Sequence, residues 1–178
     1  MLKIKHGSIF DDKCDLLILP CDSIGGVTSW VRSEIEQNRL PFPNIKVPFG
    51  KVVFMLTNAE YPKADFIGYA ASVNADINAK IIESSLGSIA KIISEIVDYC
   101  KENNCTIVNL PLLGTGAGKL DPSDVVNLYQ NLVAEEGIIF TAYVPDASTA
   151  KIFIDRVTAG KTDQDIPDDH PRVFISYS

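Results

Sequence analysis

The sequence is poor in the residues that build metal centres and redox sites. It has four cysteines and two histidines in 178 residues, and Cys14, Cys21, Cys100 and Cys105 form no C-x-x-C pair. With only His6 and His170 to join them, a zinc site is not expected, and the cysteines read as reduced structural thiols. No metal ligand is assigned. No apolar run approaches the roughly 20 residues of a membrane-spanning helix, and the opening MLKIKHGSIF lacks the apolar stretch of a signal peptide. The segment is therefore expected to be soluble and cytoplasmic, with no membrane partner. Positive charge is scarce too. Lys and Arg total 16 against 23 Asp and Glu, for a net charge of −7, and no basic face stands out. That argues against nucleic acid as a partner. Hydrophobic residues, at 46%, are plentiful enough for one globular domain with a real core.

Residues 2–6 alternate apolar and polar as a half-buried strand does, and Gly7-Ser8-Ile9-Phe10 reads as a turn. Residues 15–20 form a continuous apolar run, typical of a strand buried on both faces. Residues 21–27 carry paired glycines and lead into a helix through about Gln37. Residues 40–50 hold three prolines and break regular structure. Residues 51–56 and 66–71 follow as strands joined hairpin-fashion around Lys63-Ala64-Asp65. Leu86, Ile89, Ala90, Ile93, Ile96, Val97 and Cys100 repeat at three and four, which predicts a long amphipathic helix. Residues 106–110 read as a short buried strand. Residues 121–135 read as a helix with Val125, Leu128, Tyr129, Leu132 and Val133 inward. Residues 138–144 are a strand, and residues 145–149 cap a last helix through about Val157. Strands alternating with helices imply an α/β sandwich with a largely parallel or mixed sheet. Ligands of such sheets lie beyond the carboxyl ends of the strands, which singles out loops 7–10, 20–27, 113–119 and 145–147.

The loop at 113–119 is the most informative. Glycines at 114, 116 and 118 follow a buried strand, and Asp121-Pro122 then opens a helix with a good N-cap and a proline at its first position. Strand, glycine loop and helix N-terminus present bare N–H groups to an anion such as diphosphate. A Walker-type loop is excluded, because Leu113 stands at its first glycine and Leu120 at its magnesium-binding hydroxyl. A G-x-G-x-x-G dinucleotide fingerprint starts at Gly114 and Gly116 but meets Lys119 at its last glycine. A glycine-rich turn that binds nothing stays open.

Gly7-Ser8-Ile9-Phe10, the apolar strand at 16–19, the glycine pair 25–26 and above all Leu112-Leu113-Gly114-Thr115-Gly116-Ala117-Gly118 together resemble the macrodomain family over residues 2–157. The resemblance implies a three-layer α/β/α sandwich with a mixed, largely parallel central sheet. It also implies binding of ADP-ribose or a related NAD-derived nucleotide as ligand, with no cofactor required. Carried over by position, Gly7, Ser8, Ile9 and Phe10 border the adenine, and Cys21 and Asp22 end a strand beside the distal ribose. Gly25, Gly26 and Val27 face Leu113, Gly114, Thr115, Gly116, Ala117 and Gly118 across the diphosphate. Lys119 adds charge or merely solvates the loop, and Asp146 lies near the adenine end.

The chain departs from the family pattern in two places. Many members carry Asp where Ser8 stands, to accept from the adenine amino group; a hydroxyl accepts more weakly. Members that hydrolyse ADP-ribosyl bonds often have asparagines where this chain has Pro20-Cys21-Asp22. Asp22 is the one loop carboxylate able to activate a water, with capping or a ribose contact favoured instead. Cys21 lacks a histidine partner for nucleophilic work. Trp30 and Tyr143 are able to stack on a base but read as core. No catalytic residue is assigned. Residues 158–171 have the acidic, aperiodic composition of a linker, and Arg172-Val173-Phe174-Ile175-Ser176-Tyr177-Ser178 resembles the opening strand of a TIR domain. The expected role is a nucleotide sensor for an attached TIR-like effector in NAD signalling. An ADP-ribosyl hydrolase is the rival and self-association the third reading; oligomeric state stays open.

Overall fold

A computed structural model describes residues 1–134 and 136–159. In chain order the elements are β1 (Leu2–His6), β2 (Leu16–Asp22), α1 (Ser29–Asn38), β3 (Val52–Leu56), β4 (Phe66–Ala75), β5 (Ile81–Glu83), α2 (Leu86–Asn103), β6 (Ile107–Pro111), α3 (Pro122–Val133), β7 (Ile139–Val144) and α4 (Ala147–Thr158). The strands run β1-β7-β6-β2-β4-β3 across one sheet, with β5 attached to the far end of β4. Every pairing from β1 to β4 is parallel, and β3 is antiparallel to β4. The sheet is therefore mixed and largely parallel.

The double-sided burial read from residues 15–20 follows directly from the two-residue repeat of a strand. Leu16 and Ile18 of β2 enter a core with α2, α3 and α4, while Leu17 and Leu19 enter a second core with α1. On the second face α1 is joined by the proline-containing stretch that holds Leu40 and Val47 and by Tyr61 and Ala64. That layer is thinner in helix but equally apolar. Glycine 68 fits where β4 crosses β2 and β3, since a Cβ there would meet Ile18 Cδ1 at 2.8 Å.

Helix α2 starts at Ser85, whose hydroxyl accepts the Ser88 N–H at 3.1 Å, and it stops at Asn104 with φ of 56°. On α3 the inward set departs from the expected one: Val126 joins it, Leu132 leaves it, and Leu128 is only partly buried against the core. Val126 is fully buried and Leu132 is 38% exposed, because α3 presents Val125, Val126, Tyr129 and Val133 to the sheet. Strand β4 runs on to Ala75, and β5 pairs with it, neither of which the apolar pattern of residues 66–71 indicated. Helix α4 takes Thr158, the first residue assigned to the linker. The rest of that stretch beyond residue 159 and the TIR-like strand at 172–178 lie outside the described residues.

Candidate functional site

A cleft of about 1110 Å³ opens across the carboxyl ends of the parallel strands, from β1 at one end to β4 and β5 at the other. It is large enough for a dinucleotide-sized ligand, exceeding the roughly 300–1,000 Å³ of most small-molecule sites. Gly7, Ser8 and Ile9 line it beside Asp146 at the β1–β7 end; Cys21, Asp22, Gly26 and Val27 line it after β2; and Leu113, Gly114, Thr115, Gly116, Ala117 and Gly118 line it after β6. Three expected members are not part of the wall. Phe10 packs into the α1-side core, 6% exposed. Gly25 sits outside the lining, its φ of +86° turning the loop. Lys119 is exposed beyond the loop's end. The wall gains Trp30 from α1, Ser72 and Val73 from β4, and Ala79 and Ile81 around β5.

The loop after β6 uses its three glycines in three ways. Gly114 has φ of +81°, the left-handed conformation that glycine adopts without a Cβ penalty. At Gly118 a Cβ would meet the Gly114 carbonyl oxygen at 2.6 Å and Ser84 Cβ at 2.7 Å, so its role is close approach. Gly116 has open space around it. The other left-handed residue of the loop is Lys119, at φ of 57°. Within the loop, Leu120 N–H donates to Gly114 O at 2.9 Å and Lys119 N–H to Gly116 O at 3.0 Å. The N–H groups of Gly116, Ala117 and Gly118 have no acceptor among the described residues. Below them the fully buried Tyr129 donates its hydroxyl proton to Pro111 O at 2.8 Å and accepts the Leu113 N–H at 2.9 Å. The loop is thus tied to α3 at both sides of Leu112.

The following helix end is not itself open to an anion. Asp121 caps α3, accepting the Ser123 N–H at 2.8 Å, and Asp124 lies in the same first turn. The open helix end belongs to α1, where Thr28 makes no capping side-chain bond. Its first-turn N–H groups adjoin the stretch Val27, Thr28 and Trp30 that lines the cleft.

The loop after β2 is already occupied by its own carboxylate. Asp22 Oδ1 accepts the Ile24 N–H at 3.0 Å and the Gly26 N–H at 2.7 Å, and Asp22 O accepts the Gly25 N–H at 3.1 Å. The Gly25 and Gly26 N–H groups, expected on the diphosphate, are engaged inside the loop, which leaves Val27 and the start of α1 as the facing wall. A side chain at Gly26 would meet Asp22 Oδ2 at 2.3 Å, so the glycine is what lets the carboxylate fold back. Asp22 thus caps its own loop through Oδ1.

Cys21 is 5% exposed, and burial pushes its thiol up to about 12, so it holds its proton. Tyr143 is buried, 3% exposed with its hydroxyl donating to Asp12 at 2.8 Å, and it also contributes to the cleft lining. Trp30 is not buried. It stands 47% exposed at the cleft mouth, edge-on to Phe10 at 6.1 Å. Its position on the polar side of α1 is the signal that spacing alone left unread. Asp146 caps α4, and its hydrogen bonds from Thr149 and Ser148 hold its carboxyl down at about 2. Among the described residues the cleft wall carries no Lys, Arg or His, so an anion there would meet main-chain N–H groups and neutral side-chain donors. Among the described residues no cluster of His, Cys, Asp and Glu suits a metal ion, and no helix is long and apolar enough to cross a membrane.

Comparison with solved structures places the fold. The macrodomain of Mycobacterium tuberculosis DarG superposes with a TM-score of 0.69 over 82% of this chain and 99% of its own, at 18% identity. The fold is that of a macrodomain. The Oceanobacillus iheyensis macrodomain solved with ADP gives 0.63 over 89% of this chain and 90% of its own, at 12% identity. Thermosipho africanus DarTG in complex with ADP-ribose gives 0.59 over 86% of this chain and 45% of its own, at 18% identity. No protein-family model and no curated protein sequence matches the chain. At such identities the macrodomain likeness is one of backbone, and the side chains of the cleft are this chain's own.

Proposed function

We propose that the cleft binds ADP-ribose or a closely related NAD-derived nucleotide and that the domain works by binding, without chemistry. The observation that carries this is the row of unengaged N–H groups at Gly116, Ala117 and Gly118, set in the middle of a cleft about 1110 Å³ in volume. Main-chain donors of this kind suit a diphosphate, which needs several acceptor oxygens satisfied at once. The flanking ends of the cleft leave room for a base on the β1–β7 side and a ribose beside Asp22. Two similar structures, one solved with ADP and one in complex with ADP-ribose, support the same ligand class.

The binding-only reading rests on what surrounds the cleft. Asp22 Oδ1 is held by two N–H groups, and Cys21 keeps its proton. Neither is poised as base or nucleophile. A role as the sensor of a TIR-like effector extends this reading and rests on residues 172–178.

Trp30 is the sole tryptophan and lines the cleft, so its fluorescence reports occupancy directly. Titration of the chain with ADP-ribose, its cyclic isomers and NAD should change Trp30 emission saturably, with matching heat by calorimetry. No signal with any of them at millimolar concentration would remove the proposal. Incubation with a mono-ADP-ribosylated protein tests the rival. Turnover that disappears in Asp22→Ala would replace binding by hydrolysis.

A further inference from the structure

The sheet divides the three cysteines that the cleft does not use. Cys14 packs in the core on the α1 side, whereas Cys100 and Cys105 pack in the core on the α2 side. Cys100 lies in the last turn of α2, and Cys105 comes just after the helix, before β6. Between them Asn104 takes the left-handed conformation, and the Asn104 and Cys105 N–H groups both donate to Cys100 O, the second at 3.0 Å. With standard backbone dimensions that bond keeps the two Cα atoms within about 7 Å, the limit beyond which a disulfide needs backbone movement. The two thiols are also hydrogen-bond partners, and both are free.

A cavity of about 260 Å³, separate from the cleft, opens on this pair. Cys100 and Cys105 line it, and so do Lys101 and Glu136, which form an ion pair at 3.0 Å. The cysteines are only 1% and 3% exposed, so an oxidant that reaches them must be close to water in size. Hydrogen peroxide meets that condition, and a glutathione-sized disulfide does not. We infer that Cys100 and Cys105 form a dithiol that a small hydroperoxide closes to an intramolecular disulfide, fastening the end of α2 to the approach to β6. One thiolate attacks a peroxide oxygen, the O–O bond breaks, and a sulfenic acid forms as the first water leaves. The second sulfur attacks the sulfenic sulfur, the S–S bond forms, and the S–O bond breaks to release a second water. Two thiols lose two electrons and the peroxide gains them. Burial pushes the Cys100 thiol up to about 12 and raises Cys105 as well, so thiolate is scarce and closure follows sustained exposure rather than a pulse.

The test is prolonged exposure of the full chain to hydrogen peroxide, alkylation of the remaining thiols in denaturant, and tryptic mapping without reductant. Trypsin cuts after Lys91, Lys101 and Lys119, so Cys100 and Cys105 fall on separate peptides that only a bond keeps together. The expected product joins residues 92–101 to residues 102–119 and leaves Cys14 and Cys21 alkylated. Closing so short a loop should raise the melting temperature by about 4–8 °C over the reduced protein. Four alkylated cysteines, sulfinic acid without a bond, or a bond that takes Cys14 or Cys21 overturns the pairing. A joined pair whose melt does not rise overturns the fastening of α2. A glutathione adduct on Cys100 or Cys105 after treatment with oxidised glutathione overturns the size limit set by the cavity.

Discussion

Tyr129→Phe removes one oxygen atom from the interior and should be felt in two measurements. The side chain is fully buried, and its hydroxyl joins Pro111 O and Leu113 N–H at 2.8 and 2.9 Å. The ring of phenylalanine fills the same space, so no cavity enters the account. What remains is an orphaned N–H on Leu113, itself 1% exposed, and a carbonyl stripped of one donor. An unsatisfied buried group costs about 1–3 kcal/mol, so the pair should lose about 2–3 kcal/mol. For a domain of this size that corresponds to a melting temperature lower by about 5–10 °C. Because the same hydroxyl ties the glycine loop to α3, ADP-ribose affinity should fall together with stability. Thermal melts by circular dichroism and titration on the same samples check both. A melt within about 2 °C of the parent would refute the pinning argument. The two proteins should also differ in alkali. Burial raises the Tyr129 hydroxyl above its ordinary value. A proton held more tightly by the folded state gives stability that is full below about pH 10 and is lost as the pH rises beyond it. The Phe variant lacks that component of the alkaline loss.

Other perturbations separate the parts of the cleft. Gly118→Ala drives a Cβ against the Gly114 carbonyl and should cost about 1–3 kcal/mol along with ligand binding, whereas Gly116→Ala, in open space, should melt like the parent. Gly116→Glu places a carboxylate beside the unengaged N–H groups and should abolish ADP-ribose binding; if sedimentation shows an oligomer that survives it, self-association is independent of the nucleotide. Asp15→Ala removes the carboxylate whose Oδ2 accepts the Thr106 and Ile107 N–H groups at 2.8 and 2.9 Å, and urea unfolding should show a loss of about 1–2 kcal/mol. Asp146 has its carboxyl held down at about 2, so its contribution is present above its ordinary value near 4 and is lost as the pH falls toward 2. Asp146→Asn should flatten that part of an acid melt series.

Much of the frame was legible because it rests on strong periodicity. The run at residues 16–19 could satisfy a two-residue repeat only if both faces were buried, and the apolar stripe of α2 had one face to offer. The glycine loop was legible as a loop, but the duties of its glycines were not. Local sequence does not say that Gly118 is needed for the approach of Ser84, or that Lys119 takes a left-handed conformation. Asp22 shows the same limit from the polar side. Its place at a strand end was visible, while its fold-back onto the Ile24 and Gly26 N–H groups depends on the turn that Gly25 makes. Trp30 was read as core and β5 was not seen because each is defined by a neighbour far away in sequence: a cleft wall in one case and the end of β4 in the other.

The pairing of β1 with β7 has a consequence for the order in which the domain comes into being. Leu2 lies opposite Phe140 and His6 opposite Val144, and the Met1 amine donates to Val133 O and Ile138 O. Strand β1 thus waits for β7 before it has a partner in the sheet, a long loop closure of the kind that slows folding. A chain cut just before β7 would keep the glycine loop but lose the side of the cleft lined by Tyr143, Val144, Pro145 and Asp146. The complete cleft is then an all-or-none property of the folded sheet, acquired in one late step when β7 slides between β1 and β6.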